Sequence, residues 1–206
     1  MPDSKPQYQH EAVEVEARDV VYQGFFKMEK LRLRHRLFAG GWGDYIEREL
    51  FVRGDAVAAI LYDPRHDLIG LVEQFRVGAL KEEHGPWCLE VVAGMTKPGE
   101  NPDEVILREL MEEADIKPDK LEYICNYLSS PGGTDEKLHL YCAMSDLTNA
   151  GGVHGLDEEG EDIKVRVYTA DAVFDAMLGG RTNNAATVIG LQWLQLNRER
   201  LQKVEQ

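Results

Sequence analysis

The sequence predicts an α/β sandwich around a mixed sheet, preceded by a small β-rich domain, and three features lead there. Residues 56–62 and 68–75 are nearly unbroken apolar runs of strand length, the pattern of strands covered on both faces. Further strand-like segments follow with helix-like segments at intervals, as a sheet with helices on its faces requires. Residues 1–53 differ in character, being β-patterned but poor in apolar residues for their length. A ribbon of that kind packs on something else, either the main domain (54–206) or a second subunit.

Taken in order, residues 1–11 are polar and loose. From 13 to 52 the pattern is β-like: Leu31 and Leu33 alternate with Lys30, Arg32 and Arg34, and Gly40, Gly41 and Gly43 make a turn. A return strand follows over 45–52. Phe25 and Phe26, consecutive on an expected strand, should face opposite ways. The strands at 56–62 and 68–75 are joined by the turn Asp63-Pro64-Arg65-His66-Asp67. The next strand covers 87–92 and ends at Ala93-Gly94.

A helix then begins with Asn101 as N-cap, Pro102 at the first helical position, and Asp103 and Glu104 against the positive end of the dipole. It runs to about Ala114, with Ile106, Leu107, Leu110, Met111 and Ala114 as the stripe it buries. Strands follow at 121–128, 138–143 and 163–168. A helix from Ala170 closes at Gly179-Gly180, and an amphipathic helix covers 184–202. No internal repeat or low-complexity segment interrupts this order.

Composition narrows the function. The 206 residues are 43% hydrophobic and carry a formal net charge of −14. That charge argues against non-specific binding to nucleic acid or to anionic membranes, which demands a positive surface. A phosphate-bearing substrate would also be repelled unless cations were recruited to meet it. Cys88, Cys125 and Cys142 form no metal-ligand pair, and an odd count leaves at least one thiol unpaired, as in a reducing compartment. The first twenty residues lack the apolar core of a signal peptide, and no run approaches the ~18 apolar residues of a membrane span. A cytoplasmic protein is expected.

The chemistry concentrates in GMTKPGENPDEVILRELMEEADI, from Gly94 to Ile116. On a helix, Glu109, Glu112 and Glu113 stand at i, i+3 and i+4 and share a face. Like charges at that spacing repel, and the C-terminal half of a helix disfavours anions. A divalent cation reverses both effects, and hard carboxylate oxygens select Mg²⁺ or Mn²⁺. Three glutamates alone would describe a solvated acidic face. The apolar stripe, the adjacent Arg108 and the glycine-bearing loop in front of the helix favour a site.

This segment resembles the Nudix box, Gly-x5-Glu-x7-Arg-Glu-U-x-Glu-Glu-x-Gly-U, where U is a bulky apolar residue. Gly94, Glu100, Arg108, Glu109, Leu110, Glu112, Glu113 and Ile116 all fall on it. Asp115 departs from it, standing where the family has a glycine that ends the helix; Asp tolerates a left-handed backbone better than most residues. A proline sixteen residues beyond that position, Pro131, resembles the mark of the bacterial ADP-ribose pyrophosphatase branch.

The resemblance implies a Nudix α/β/α sandwich from about residue 54 and Mg²⁺-dependent hydrolysis of ADP-ribose to AMP and ribose 5-phosphate. It implies two or three Mg²⁺ ions, replaceable by Mn²⁺, on Glu109, Glu112, Glu113, Glu161 and the Ala93 carbonyl. Gly94, Glu100 and Arg108 would shape the loop and orient the carboxylates. In the acidic loop 154–162 it makes Glu159 the general base; Glu158 and Asp162 are neighbouring candidates. Phe25 and Phe26 would face the adenine, and Arg48, Glu49, Arg53 and Arg76 the base or the phosphates. Met95, Ser130, Pro131, Gly132 and Glu136 would complete the substrate wall. A homodimer with exchanged N-terminal domains is also implied, with no nucleic-acid or membrane partner. The rival readings are a hydrolase of another nucleoside-diphosphate sugar such as GDP-mannose, an ADP-ribose sensor without catalysis, and a structural cation site.

Overall fold

The structure, a computed structural model, describes residues 6–156, 158 and 160–204. The chain divides into two compact units, one of Met1–Gly54 with Leu128–Glu136, the other of Asp55–Tyr127 with Lys137–Gln206.

The first unit is an antiparallel sheet of β1 (Val13–Gln23), β2 (Lys27–His35) and β3 (Ile46–Val52), in that order. Its scarcity of apolar residues is offset by polar and aromatic pairing. The buried Glu29 is held between Arg18 and Lys27, and the Arg34 guanidinium lies over the rings of Trp42 and Tyr45 at 5.0 and 4.9 Å. Such stacking contributes roughly 0.5–1 kcal/mol each at exposed sites. Segment 128–136 joins this unit by bonds to β3. The Phe51 N–H donates to the Gly133 carbonyl (2.8 Å), and the Thr134 hydroxyl donates to the Phe51 carbonyl (2.9 Å). Sequence distance hid this pairing.

The second unit contains β4 (Ala56–Asp63), β5 (Leu68–Phe75), β6 (Trp87–Glu90), β7 (Val92–Met95), α1 (Pro102–Ala114), β8 (Lys120–Leu128), β9 (Lys137–Met144), β10 (Gly152–His154), β11 (Ile163–Thr169), α2 (Ala170–Leu178) and α3 (Ala185–Val204). The sheet runs β10-β11-β5-β4-β9-β8, with β6 added to β5 and β7 to β4. Strands β4 and β9 are parallel, and the pairings of β4 with β5 and β5 with β11 are antiparallel, so the sheet is mixed.

Strand β4 is buried along its whole length. Its alternate residues feed two cores. Val57, Ala59 and Leu61 meet Val105, Ile106 and Leu110 of α1, while Ala58, Ile60 and Tyr62 meet Phe174 of α2 and Leu191 and Leu194 of α3. The period of two along a strand thus makes a three-layer sandwich, α1 on one face and α2 with α3 on the other.

Three expectations change. The run 87–92 is two strands: Glu90 pairs with Val72 of β5, whereas Val92 pairs with Ala59 of β4. Between them the Val91 N–H leaves the ladder and donates to the Thr187 hydroxyl of α3 (3.1 Å). Leu107 and Met111 are exposed, at 41% and 46%; the buried arc of α1 is Val105, Ile106, Leu110, Glu113 and Ala114. Glu113 therefore sits inside the sheet-facing arc, and at about 100° per residue that centring turns Leu107 and Met111 outward. Phe25 and Phe26 lie in the turn after β1, not on a strand. They meet edge to face with centroids 4.8 Å apart instead of pointing apart. Strand β10 was not expected, because three residues beginning with glycine carry no strand signal until they pair with β11.

The three cysteines are free thiols. Among the described residues no helix is long and apolar enough to cross a membrane.

Candidate active site

The site is built around α1 and the loop that enters it. The Thr96 N–H donates to the Asp55 carbonyl (3.0 Å) and starts the loop. Glu100 then closes a tight turn, its carboxylate accepting from the Lys97 N–H (2.8 Å) while its own N–H donates to the Lys97 carbonyl (3.1 Å). The Lys97 amide and Arg108 hold the Glu100 carboxyl below the usual range. Asn101 caps the helix, accepting from the Asp103 N–H at 3.2 Å. The Tyr141 hydroxyl of β9 donates to the Asp103 carboxylate (2.7 Å), tying the first turn of α1 to the sheet.

Arg108 lies between carboxylates. Its guanidinium donates to Glu100 (3.3 Å) and Glu109 (3.1 Å) and is 3.9 Å from Glu112. Its planar fork suits such bridging, which a lysine could not reproduce. Glu109 and Glu113 turn toward the sheet. The Glu113 carboxylate, on a residue 3% exposed, accepts from the Ala93 N–H at 3.1 Å. Burial, with the charges of Glu161 and Glu109 adding to it, pushes Glu113 up to about 8, although the Ala93 amide and Arg76 oppose this. Burial likewise raises Glu109, with Glu112 and Glu161 adding to it.

Gly94 makes room for Glu109, since a Cβ there would overlap the Glu109 carboxyl group and force it to move. The glycine leaves the cradle in which that carboxylate lies. Asp115 ends the helix in the left-handed region, φ 52° and ψ 40°, its N–H donating to the Met111 carbonyl (3.1 Å). It takes the conformation a glycine would take there.

Glu161 lies between β10 and β11, close enough for its charge to raise both helical carboxyls. Buried and half-buried, mutually repelling oxygen donors on α1 and this loop fit a divalent cation, which supplies the charge they lack. The candidate base Glu159 and its neighbour Asp157 lie outside the described residues; Glu158 and Asp162 are exposed. A second group, Asp63, His66 and Asp146, also comes within chelating distance. Asp63 there is a turn-former instead, accepting from the N–H groups of Arg65, His66 and Leu147 at 2.9–3.0 Å.

The remaining candidates divide between the units. Arg76 and Met95 share the unit of the carboxylates, Met95 at the end of β7 and Arg76 just after β5. The Arg76 guanidinium donates to Glu90 at 2.8 Å, a partner that no local sequence signal singles out. Phe25, Phe26, Arg48, Glu49, Arg53, Ser130, Pro131, Gly132 and Glu136 belong to the first unit. There Arg53 pairs with Glu136 (2.7 Å) and lies 5.3 Å over the Phe26 ring, so three of them form one cluster. Arg48 and Glu49 stand exposed on β3, with Arg48 donating to the Glu47 carbonyl. The Ser130 carbonyl accepts from the Gly133 and Thr134 N–H groups at 3.0 Å, folding the Pro131–Gly132 corner into a turn.

A three-layer sandwich with an acidic, cation-fitting loop–helix at its centre defines a recognisable class. Residues 52–189 match the family model for the NUDIX domain, and the chain belongs to that family. It is similar to the ADP-ribose pyrophosphatase of Haemophilus influenzae, 43% identical over 199 residues, with 95% of this chain and 92% of that protein covered. The ADP-ribose pyrophosphatase of Escherichia coli K12 is 40% identical over 201 residues, covering 97% of this chain and 96% of the relative. A GDP-mannose pyrophosphatase of Cronobacter sakazakii is 30% identical over 155 residues, 73% of this chain and 78% of that protein. Among solved structures, an ADP compounds hydrolase superposes with a TM-score of 0.67 at 20% identity, covering 90% of this chain and 95% of that one. That likeness speaks to the fold.

Proposed function

We propose that the protein hydrolyses the pyrophosphate bond of ADP-ribose, giving AMP and ribose 5-phosphate, with Mg²⁺ as cofactor. The observation that carries the reading is the burial of Glu113 and Glu109 beside Glu161, three carboxyl groups that a cation would balance. The substrate follows from the two relatives named ADP-ribose pyrophosphatase, matched along nearly all of both chains. The GDP-mannose relative is less similar and matched over less of the chain.

In this reading Glu109, Glu112, Glu113, Glu161 and the Ala93 carbonyl would hold two or three Mg²⁺ ions, with Mn²⁺ able to substitute. Mg²⁺ held there would supply Lewis-acid polarisation of the phosphate bridge and a lowered pKa for the attacking water. Arg108 and Glu100 keep Glu109 turned into the site, and Arg76, fixed by Glu90, offers its guanidinium to phosphate oxygens. Glu159 takes the proton of the attacking water, an assignment that rests on resemblance to the family. The bond between one phosphorus and the bridging oxygen breaks as the water oxygen joins phosphorus. Phe25, Phe26, Arg48, Glu49, Arg53, Met95, Ser130, Pro131, Gly132 and Glu136 serve the adenosine and the bridge. The protein acts in the cytoplasm as a homodimer with exchanged N-terminal domains, a state that light scattering on the purified protein tests.

The deciding experiment is chromatographic identification of products from ADP-ribose, GDP-mannose and dinucleoside polyphosphates, with Mg²⁺ and with excess chelator. AMP and ribose 5-phosphate, formed only with Mg²⁺ and with the highest kcat/KM for ADP-ribose, are expected. Equal or better turnover of GDP-mannose would move the substrate to the rival branch. Full turnover in chelator would remove the metal, and no turnover of any compound would leave a sensor.

A further inference from the structure

The turn between β10 and β11 is tied both to itself and to α1. Glu112 lies in the last turn of α1, where carbonyls lose their helical partners; its carbonyl accepts instead from the Gly155 N–H at 3.2 Å. One residue on, the Leu156 N–H donates to the Glu161 carboxylate (3.1 Å), while the Glu161 N–H donates back to the Leu156 carbonyl (3.2 Å). The reciprocal pair occupies Oε2 of Glu161 and fixes the direction of its carboxylate. Gly155 has φ +103°, and a Cβ there would stand 2.7 Å from the Glu161 Cβ and 3.3 Å from its Oε2. Gly160, in the same turn, also has a positive φ (+70°), but a Cβ on it would meet nothing within 4 Å.

We infer that Gly155 and Leu156 are positioning residues for cation binding: they lock the Glu161 carboxylate in register with Glu109 and Glu113 by fastening its loop to the end of α1. The inference rests on Glu161 being a cation ligand, as proposed above. Partners of this kind set the orientation of metal ligands, and losing one costs roughly 10–100-fold in affinity. A glycine present only to permit a positive φ would show no difference between positions 155 and 160. The direct contact with Glu161 exists at 155 alone.

Mn²⁺ binding to the metal-stripped, full-length protein tests this, read from the free-ion electron paramagnetic resonance signal and therefore independent of turnover. Gly155→Ala should raise the Mn²⁺ Kd about 10-fold or more, whereas Gly160→Ala, strained in the same sense, stays within about twofold of the parent. Leu156→Pro removes the N–H that holds Oε2, adds no Cβ at 155, and should weaken binding as Gly155→Ala does. It carries the test alone if Gly155→Ala fails to fold in a thermal melt. Any other pattern among these variants overturns the inference. Glu161→Gln separates the two layers of the argument. Parental Mn²⁺ affinity in that variant would remove the ligand reading and the positioning role together. Weakened affinity there, with parental affinity in Gly155→Ala and Leu156→Pro, would overturn the positioning role alone.

Discussion

Gly94 and Glu109 are packed so closely that the glycine's missing side chain is the space the carboxylate fills. The contact joins the end of β7 to the middle of α1. It explains a glycine at a position where no positive φ demands one.

Gly94→Ala is expected to displace the Glu109 carboxylate and leave both cores intact. The Mg²⁺ concentration for half-maximal rate should rise about 10-fold or more, with Tm within a few degrees of the parent. A Mg²⁺ titration of steady-state rate beside a thermal melt checks it; an unchanged titration would mean that Glu109 holds no cation.

Glu113→Gln should separate activity from stability. Loss of a charged ligand should lower kcat/KM by roughly 100-fold or more, about 3 kcal/mol of transition-state stabilisation. In chelator the order reverses. The folded protein holds the Glu113 proton up to about 8, well above the ordinary carboxylate value of 4.5 in the unfolded chain. This stability is therefore fully present below pH 4.5 and is lost as pH rises toward 8, at up to about 1.4 kcal/mol per pH unit. Glu113→Gln has no proton to lose there, so its melt in chelator should lack this decline and exceed the parent's above pH 8. Parallel melts of the two across pH 5–9 would contradict the origin assigned to the shift.

At the other face of the sheet, Arg198 of α3 clasps Asp67. Its Nε donates to Oδ1 (2.9 Å), its Nη2 pairs with Oδ2, and the Tyr62 hydroxyl also donates to Oδ1 (2.9 Å). Arg198 holds the Asp67 carboxyl below its ordinary value of 3.8. Its stabilisation is thus present above that value and lost as pH falls below it. Arg198→Met should cost about 1.5–3 kcal/mol at pH 7 by urea unfolding, with the difference shrinking on acidification, and kcat should stay parental. A variant as stable as the parent at pH 7 would show the clasp to be idle.

Asp115→Gly relieves a left-handed residue that bears a side chain. A gain of up to about 1 kcal/mol is expected, limited because Asp is among the residues that tolerate this region best. Asp115→Val should lose stability. Chemical denaturation of the three proteins checks the order, and a loss in Asp115→Gly would mean that the Asp side chain contributes more than its strain costs.

Much of this protein is legible in its sequence because the signals are local. The cap at Asn101, the proline after it, the unbroken apolar run of β4 and the spacing of Glu109, Glu112 and Glu113 report on neighbours within one or two helical turns or one strand. Those features determine a mixed α/β sandwich and an acidic helix fit for a cation. Tertiary structure alone decided what depends on partners distant in sequence. Val91 breaks a strand because the ladders of β5 and β4 compete for its two sides and Thr187 takes its N–H. Leu107 and Met111 face outward because the sheet receives α1 through an arc centred near Glu113, an orientation no hydrophobic pattern encodes. Segment 128–136 joins the first unit mainly through backbone bonds of Gly133 and Asp135 to Phe51, which any sequence could make, with the Thr134 hydroxyl on the Phe51 carbonyl added to them. Gly155 looks like an ordinary loop glycine until the fold sets its N–H against the carbonyl of Glu112 and its vacant side against Glu161. Local pattern fixes which residues carry charge and which are apolar. Which of them meet is set by long-range packing, where main-chain hydrogen bonds and van der Waals volume act without a sequence signature.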